Sequence, residues 1–249
     1  MGIRCRVLGV GLGISALLGS AALPALADDP KPDAKADAKA AQEMAARVAE
    51  LEASVAKHVP DKGDEALDAD TKAAVGLYGQ VTDAKLKARL VGVVGGILKG
   101  IAHESTQLAA LDALGEMADP AGAAFVGPFL VQPDTRRSPP LIEAAVEASS
   151  RMKSDDSVPA LLLLVQKSDV LPVAVGAVKA FSTFGHNIAT REKILVALVD
   201  ALRGARSGPL ANTIPETLNQ MTGQNVAGAQ AWIDLREQHK ARLADLFLK

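Results

Sequence analysis

From Thr71 to the C-terminus one pattern recurs: an apolar stripe at helical spacing, a polar break, often a proline, and another stripe. Asp119-Pro120, Ser138-Pro139, Ser157-Val158-Pro159, Asp169-Val170-Leu171-Pro172 and Thr213-Ile214-Pro215 each place a capping side chain shortly ahead of proline. Ser, Thr and Asp satisfy the free N–H groups of a first helical turn, and proline has no N–H there to satisfy. Starts that recur at regular spacing predict a stack of helical hairpins. The expected pairs are 71–80 with 83–98, 104–118 with 121–131, 139–153 with 159–167, 173–184 with 190–203, and 214–221 with 230–247.

The stripes themselves superpose. Leu111, Leu114 and Met117 fall on Val146, Ser149 and Met152 with a shift of 35, and Val146 and Met152 fall on Val178 and Phe184 with a shift of 32. Two helices in roughly 32 to 37 residues is the period of a helical solenoid. The composition agrees: 49% of the chain is apolar, yet it holds only five Phe, one Tyr and one Trp. Small and branched aliphatic side chains suit thin layers of closely packed helices. The predicted fold class is therefore all-α, a right-handed α-solenoid of about five hairpins.

The N-terminal segments read differently. Residues 1–27 form a secretory signal peptide: Arg4 and Arg6 are its basic region, Val7 to Leu23 its apolar run, and Ala25-Leu26-Ala27 its cleavage site. Retention as a membrane anchor is the alternative, which Gly9, Gly11, Gly13 and Pro24 disfavour. Cys5, the sole cysteine, leaves with this segment, so disulfides and thiolate chemistry are not expected of the mature chain. Cleavage leaves 25 basic against 29 acidic residues, a formal charge of −4 that favours neither nucleic acid nor anionic lipid. Residues 28–39 form a low-complexity tether, 40–59 an amphipathic helix with Met44, Val48, Leu51, Val55 and Val59 in line, and 60–70 a polar linker. Residues 71–249 make up the repeat domain.

The repeat pattern, clearest over Leu108 to Val165, resembles HEAT repeats across roughly residues 71–225. The Asp and Arg that such repeats place in the second helix are not found here. Met221-Thr222-Gly223-Gln224-Asn225, followed by Ala231-Trp232, is similar to the terminal segment of exported bacterial HEAT-repeat proteins. There a Thr-Gly-Gln-Asp turn leads into a Trp-x-x-Trp helix; this chain has Asn225 for the Asp and Leu235 for the second Trp. Gly223 is suited to a left-handed helix end, and Trp232 to covering the open end of a stack. The resemblance implies an interaction scaffold in the periplasm or cell envelope, without chemistry of its own.

A search for chemistry gives no catalytic, cofactor-binding or metal-binding residue. His58, His103, His186 and His239 never lie three or four apart. His103-Glu104 opens like a zinc-protease motif, but Gln107 stands where the second histidine belongs. Gly92-Val93-Val94-Gly95-Gly96 lies in a helical stripe, where glycines serve close helix contact rather than phosphate. Asp155-Asp156 fits a helix cap. Arg136-Arg137, with Arg151 and Lys153, could gather into a basic spot or serve as solvated loop charge.

The expected function is a binding scaffold for a protein or peptide held along the second helices between Ala121 and Arg203. The alternatives are an accessory or maturation factor for an envelope enzyme, a lyase-type HEAT enzyme, or a spacer that oligomerises through the 40–59 helix. Nucleic acid and, after cleavage, membrane insertion are not expected.

Overall fold

The computed structural model describes residues 34–61, 64–100, 103–131, 138–184, 187–204 and 208–240. The signal segment, Arg136-Arg137, His186 and the end of the last predicted helix lie outside them. The described residues are all helical in their regular structure, without a strand. The described residues from Ala40 onward belong to one compact unit.

The helices are α1 (Ala34–Asp61), α2 (Asp64–Gln80), α3 (Ala84–Gly100), α4 (Glu104–Met117), α5 (Ala123–Val131) and α6 (Pro139–Met152). They continue as α7 (Val158–Lys167), α8 (Leu171–Ala180), α9 (Ile188–Gly204), α10 (Pro209–Thr222) and α11 (Gly228–Gln238). Single 3₁₀ turns, Pro120–Gly122 and Asp155–Ser157, lead into α5 and α7.

Two rows emerge from the packing. α2, α4, α6, α8 and α10 each touch the next, and so do α3, α5, α7, α9 and α11. Between the rows lies a continuous aliphatic core that includes Leu90, Ile97, Leu111, Leu161, Leu195 and Leu198, all fully buried. Burial of this apolar surface, at roughly 25 cal/mol per Å², is the main stabilising contribution.

Several polar bonds between helices reach 33 to 42 residues along the chain. Arg47 bonds Gln80 33 residues on, Ser138 bonds Glu104 34 away, Thr190 bonds Asp155 35 away, and Thr106 bonds Asp64 42 away. The last three tie one hairpin to its neighbour, and Arg47–Gln80 ties α1 to α2. The helix ends repeat as well. α4 closes on Ala118 (φ 49°) and α6 on Lys153 (φ 52°), both in the left-handed conformation, immediately after the buried Met117 and Met152. An L-residue with a side chain is strained there. Ala118→Gly is expected to raise stability by about 0.5–1 kcal/mol, net of glycine's greater freedom in the unfolded chain. Chemical denaturation measures it, and a loss would show that Ala118 is unstrained.

The structure corrects several expectations. The 60–70 linker is helical from Asp64, because Asp64 and Glu65 suit a first turn and Leu67 is fully buried. The last part of the expected tether, from Ala34, already belongs to α1, its Ala and Lys being good helix formers. α10 begins at Pro209 rather than at Ile214, so Pro215 lies inside a helix.

Pro120, Pro139, Pro159 and Pro172 do lie in a first turn, but most of the expected caps do not form. Asp119 accepts from the Ala121 N–H at 2.9 Å, whereas Ser138 donates its hydroxyl to Glu104 at 2.6 Å. Ser157 caps nothing, and Thr213 donates to the Pro209 carbonyl within α10. With proline in the first turn one orphan N–H is already gone, which frees the Ser138 hydroxyl for another acceptor.

Candidate functional site

α1 carries Ser54 and His58 one turn apart, and Asp70 of α2 faces both. Ser54 donates to Asp70 Oδ1 at 2.8 Å, His58 Nδ1 lies 2.8 Å from Oδ2, and Ser54 Oγ lies 3.4 Å from that same nitrogen. The three residue types are those of a nucleophilic relay, but the wiring is not. A relay needs the serine on one imidazole nitrogen and the carboxylate on the other. Here both meet Nδ1, and the carboxylate takes the serine's proton-bearing bond directly. The trio is a clasp that pins α1 on α2.

Asp70 is 8% exposed, so removing it leaves two half-buried polar groups unmatched. Asp70→Ala is expected to cost about 1–3 kcal/mol in urea denaturation. Amide exchange should speed up in α1 before α6; an unchanged midpoint would show that the clasp contributes nothing.

A second clasp explains His103-Glu104. Asp64 accepts from Thr106 at 2.9 Å and faces His103 Nδ1 at 3.2 Å, while Glu104 turns away to Ser138. The two neighbouring side chains thus serve different helices. Among the described residues no three His, Cys, Asp or Glu converge to hold a metal ion. Nor is any described helix long and apolar enough to cross a membrane.

Clefts open between neighbouring helices of a row. One of about 320 Å³ lies between α6 and α8, lined by Glu143, Glu147, Gly176, Lys179 and Thr183. Another of about 560 Å³ lies between α1 and α3, where Val55, Ala56, Val59, Gly92 and Gly96 form an apolar floor. Its rim is the Arg89–Glu52 pair, with contacts of 2.9 and 2.6 Å. That paired guanidinium holds the Glu52 carboxyl below the usual carboxylate range. Gly95, on the far side of α3, receives the Phe125 ring of α5. A Cβ at Gly95 would stand 2.3 Å from that ring. Lys99 Nζ lies 4.6 Å over the same ring.

The second row shows a further feature. α5 carries no charged residue, and Phe125, Leu162, Leu163 and Val196 are only half-buried along α5, α7 and α9. Val131, at the end of α5, is 52% exposed. These apolar positions fall within the expected 121–203 region, on three helices that touch in turn. Of the expected basic spot, Arg151 is engaged by Glu147 and Asp112, and Lys153 closes α6.

In the first row, Tyr78 donates to Asp119 at 3.0 Å. Burial, then that bond and the nearby charge, push its phenol from 10.0 up to about 12. Because the folded pKa is raised, the stability this bond contributes is whole below pH 10 and is lost between pH 10 and about 12. Tyr78 is the only tyrosine, so absorbance at the phenolate band reads it directly. A midpoint near 12 is expected, returning toward 10 in Asp119→Asn; a wild-type midpoint of 10 would contradict the bond.

The chain matches no protein-family model, and no match is found among curated proteins or among solved structures.

Proposed function

We propose that this chain is an exported, HEAT-like α-solenoid that binds a protein or peptide in the periplasm or cell envelope and carries out no catalysis of its own. The observation that carries this reading is the presence of half-buried apolar residues, Phe125, Leu162, Leu163 and Val196, on successive helices of one row. Apolar side chains left half-open on a packed helical array are the ordinary form of a binding surface. The two rows of alternating helices, with polar bonds that reach 34 to 42 residues along them, support an α-solenoid. Gly223, left-handed at φ 68°, and the fully buried Trp232 support the terminal-segment resemblance. So does the bracket by which Asn219 bonds both the N–H and the carbonyl of Val226, at 2.9 and 3.1 Å.

A spacer oligomerising through α1 is less well supported. Val48, Leu51 and Val55 are at most 7% exposed, which leaves its stripe little surface for a second copy.

The test is site-specific photo-crosslinking in the envelope fraction. A photoreactive residue at position 163 should give a discrete adduct, and one at position 116, on the opposite row, should not. Equal adducts at both positions, or turnover of a small substrate by the purified chain, would overturn the reading. A mature N-terminus at Asp28 is expected, and an intact Met1 would contradict export with cleavage.

A further inference from the structure

α1 and α3 are joined at two points. Val59 packs against Gly100, where a Cβ would stand 2.6 Å from it, and the Arg89 guanidinium forks onto Glu52. The cleft of about 560 Å³ runs between these points over a floor of Val55, Ala56, Val59, Gly92, Val93 and Gly96. A Cβ at Gly92 or at Gly96 would meet no atom within 4 Å, so no described side chain fills that space. Its size and apolar lining are those of a pocket that takes a few side chains, with two polar groups at its rim to orient them.

The sequence beyond Lys240 supplies a match: Ala241-Arg242-Leu243-Ala244-Asp245-Leu246-Phe247-Leu248-Lys249. Leu243, Leu246 and Phe247 have the spacing that sets side chains on one helical face. Arg242 and Asp245 add one charge of each sign beside them, as Arg89 and Glu52 do at the rim, where their side chains are 40% and 37% exposed. Arg242 on Glu52 and Asp245 on Arg89 would keep all four charges paired, whereas a segment of one sign would leave a rim charge in surplus. The cleft of the same chain is out of reach. α11 and α3 stand at opposite ends of one row with α5, α7 and α9 between them, four steps of about 8–10 Å each. Leu243 is three residues past Lys240, about 10 Å of extended chain.

We propose that residues 242–247 of one copy bind in the α1–α3 cleft of another, so that copies join head to tail. The two copies use different surfaces, so the contact either closes into a ring or runs on as an open chain. It differs from a pairing of two α1 helices, whose stripe of Val48, Leu51 and Val55 is buried within the chain. It goes beyond the scaffold reading and does not rest on it.

Light scattering on the purified chain at increasing concentration tests this. The mass should rise above that of one copy through the micromolar range. Phe247→Asp removes the donor and Gly96→Leu fills the acceptor, and each variant alone should remain a monomer with an unchanged helical spectrum. Ala56→Leu fills the same cleft from α1 and should act as Gly96→Leu does. A mixture of Phe247→Asp with either cleft variant retains one intact segment and one intact cleft, so it should form pairs and nothing larger. A wild-type chain that stays monomeric, a Phe247→Asp variant that associates as before, or a mixture that never pairs would each overturn the proposal, and none of them touches the scaffold reading.

Discussion

Trp232→Ala should lower the thermal midpoint by roughly 10 °C, the result of about 3–5 kcal/mol lost from a chain of this size. Trp232 is the largest fully buried side chain, set in α11 where that helix meets α9 and α10. Its indole N–H has no partner among the described residues, so the whole contribution is apolar contact. That separates two substitutions. Trp232→Phe keeps most of the apolar contact and removes an unmatched donor, so it should cost less than half as much. The loss should also be local. In a row of units that touch only their neighbours, removing a terminal contact melts the end first. Amides of α10 and α11 should therefore exchange faster while those of α4 and α6 keep their protection. Uniform acceleration along the chain would show that the hairpins unfold as one unit.

The second large effect belongs to the α4–α6 contact. A Cβ at Gly115 would stand 3.1 Å from the Cα of Ala148 and 3.4 Å from its Cβ and from Arg151 Cδ. The nearest obstacle is backbone, which cannot swing aside as a side chain can. Gly115→Ala sets a helix-propensity gain of about 1 kcal/mol against overpacking of about 1–3 kcal/mol, so a small loss is expected. Gly115→Leu adds three further carbons where none fit, and α4 must move off α6. A loss of about 3 kcal/mol or more is expected, read from the denaturation midpoint. A Leu variant as stable as the Ala variant would mean that the two helices slide apart freely. Gly95 makes the useful contrast. There the obstacle is the half-buried Phe125 ring, which can turn outward, so Gly95→Ala should cost less than its 2.3 Å contact suggests.

Much of the helical order was legible because proline and periodicity mark it redundantly. Pro139, Pro159 and Pro172 lie in the first turns of α6, α7 and α8, and the shift of Met117 onto Met152 reappears as two left-handed helix ends. The start of α2 was not legible. In Asp64-Glu65-Ala66-Leu67-Asp68-Ala69-Asp70 one leucine stands among four carboxylates, and no stripe shows until the core has buried it. The clasps were invisible for a related reason. Ser54 and His58 are recognisably one turn apart, but only packing brings Asp70 to them, and hydroxyls that read as caps were committed elsewhere.

The short reach of the bonds between helices bears on how the molecule yields under load. Of the cross-helix bonds described above, none spans more than 42 residues, so each closes a loop little longer than one hairpin. A pull on the two ends therefore meets the bonds in sequence rather than in parallel. Each failure frees roughly 35 residues, on the order of 120 Å of extended chain at about 3.5 Å per residue. A molecule built this way gives ground in instalments and can re-form behind each one.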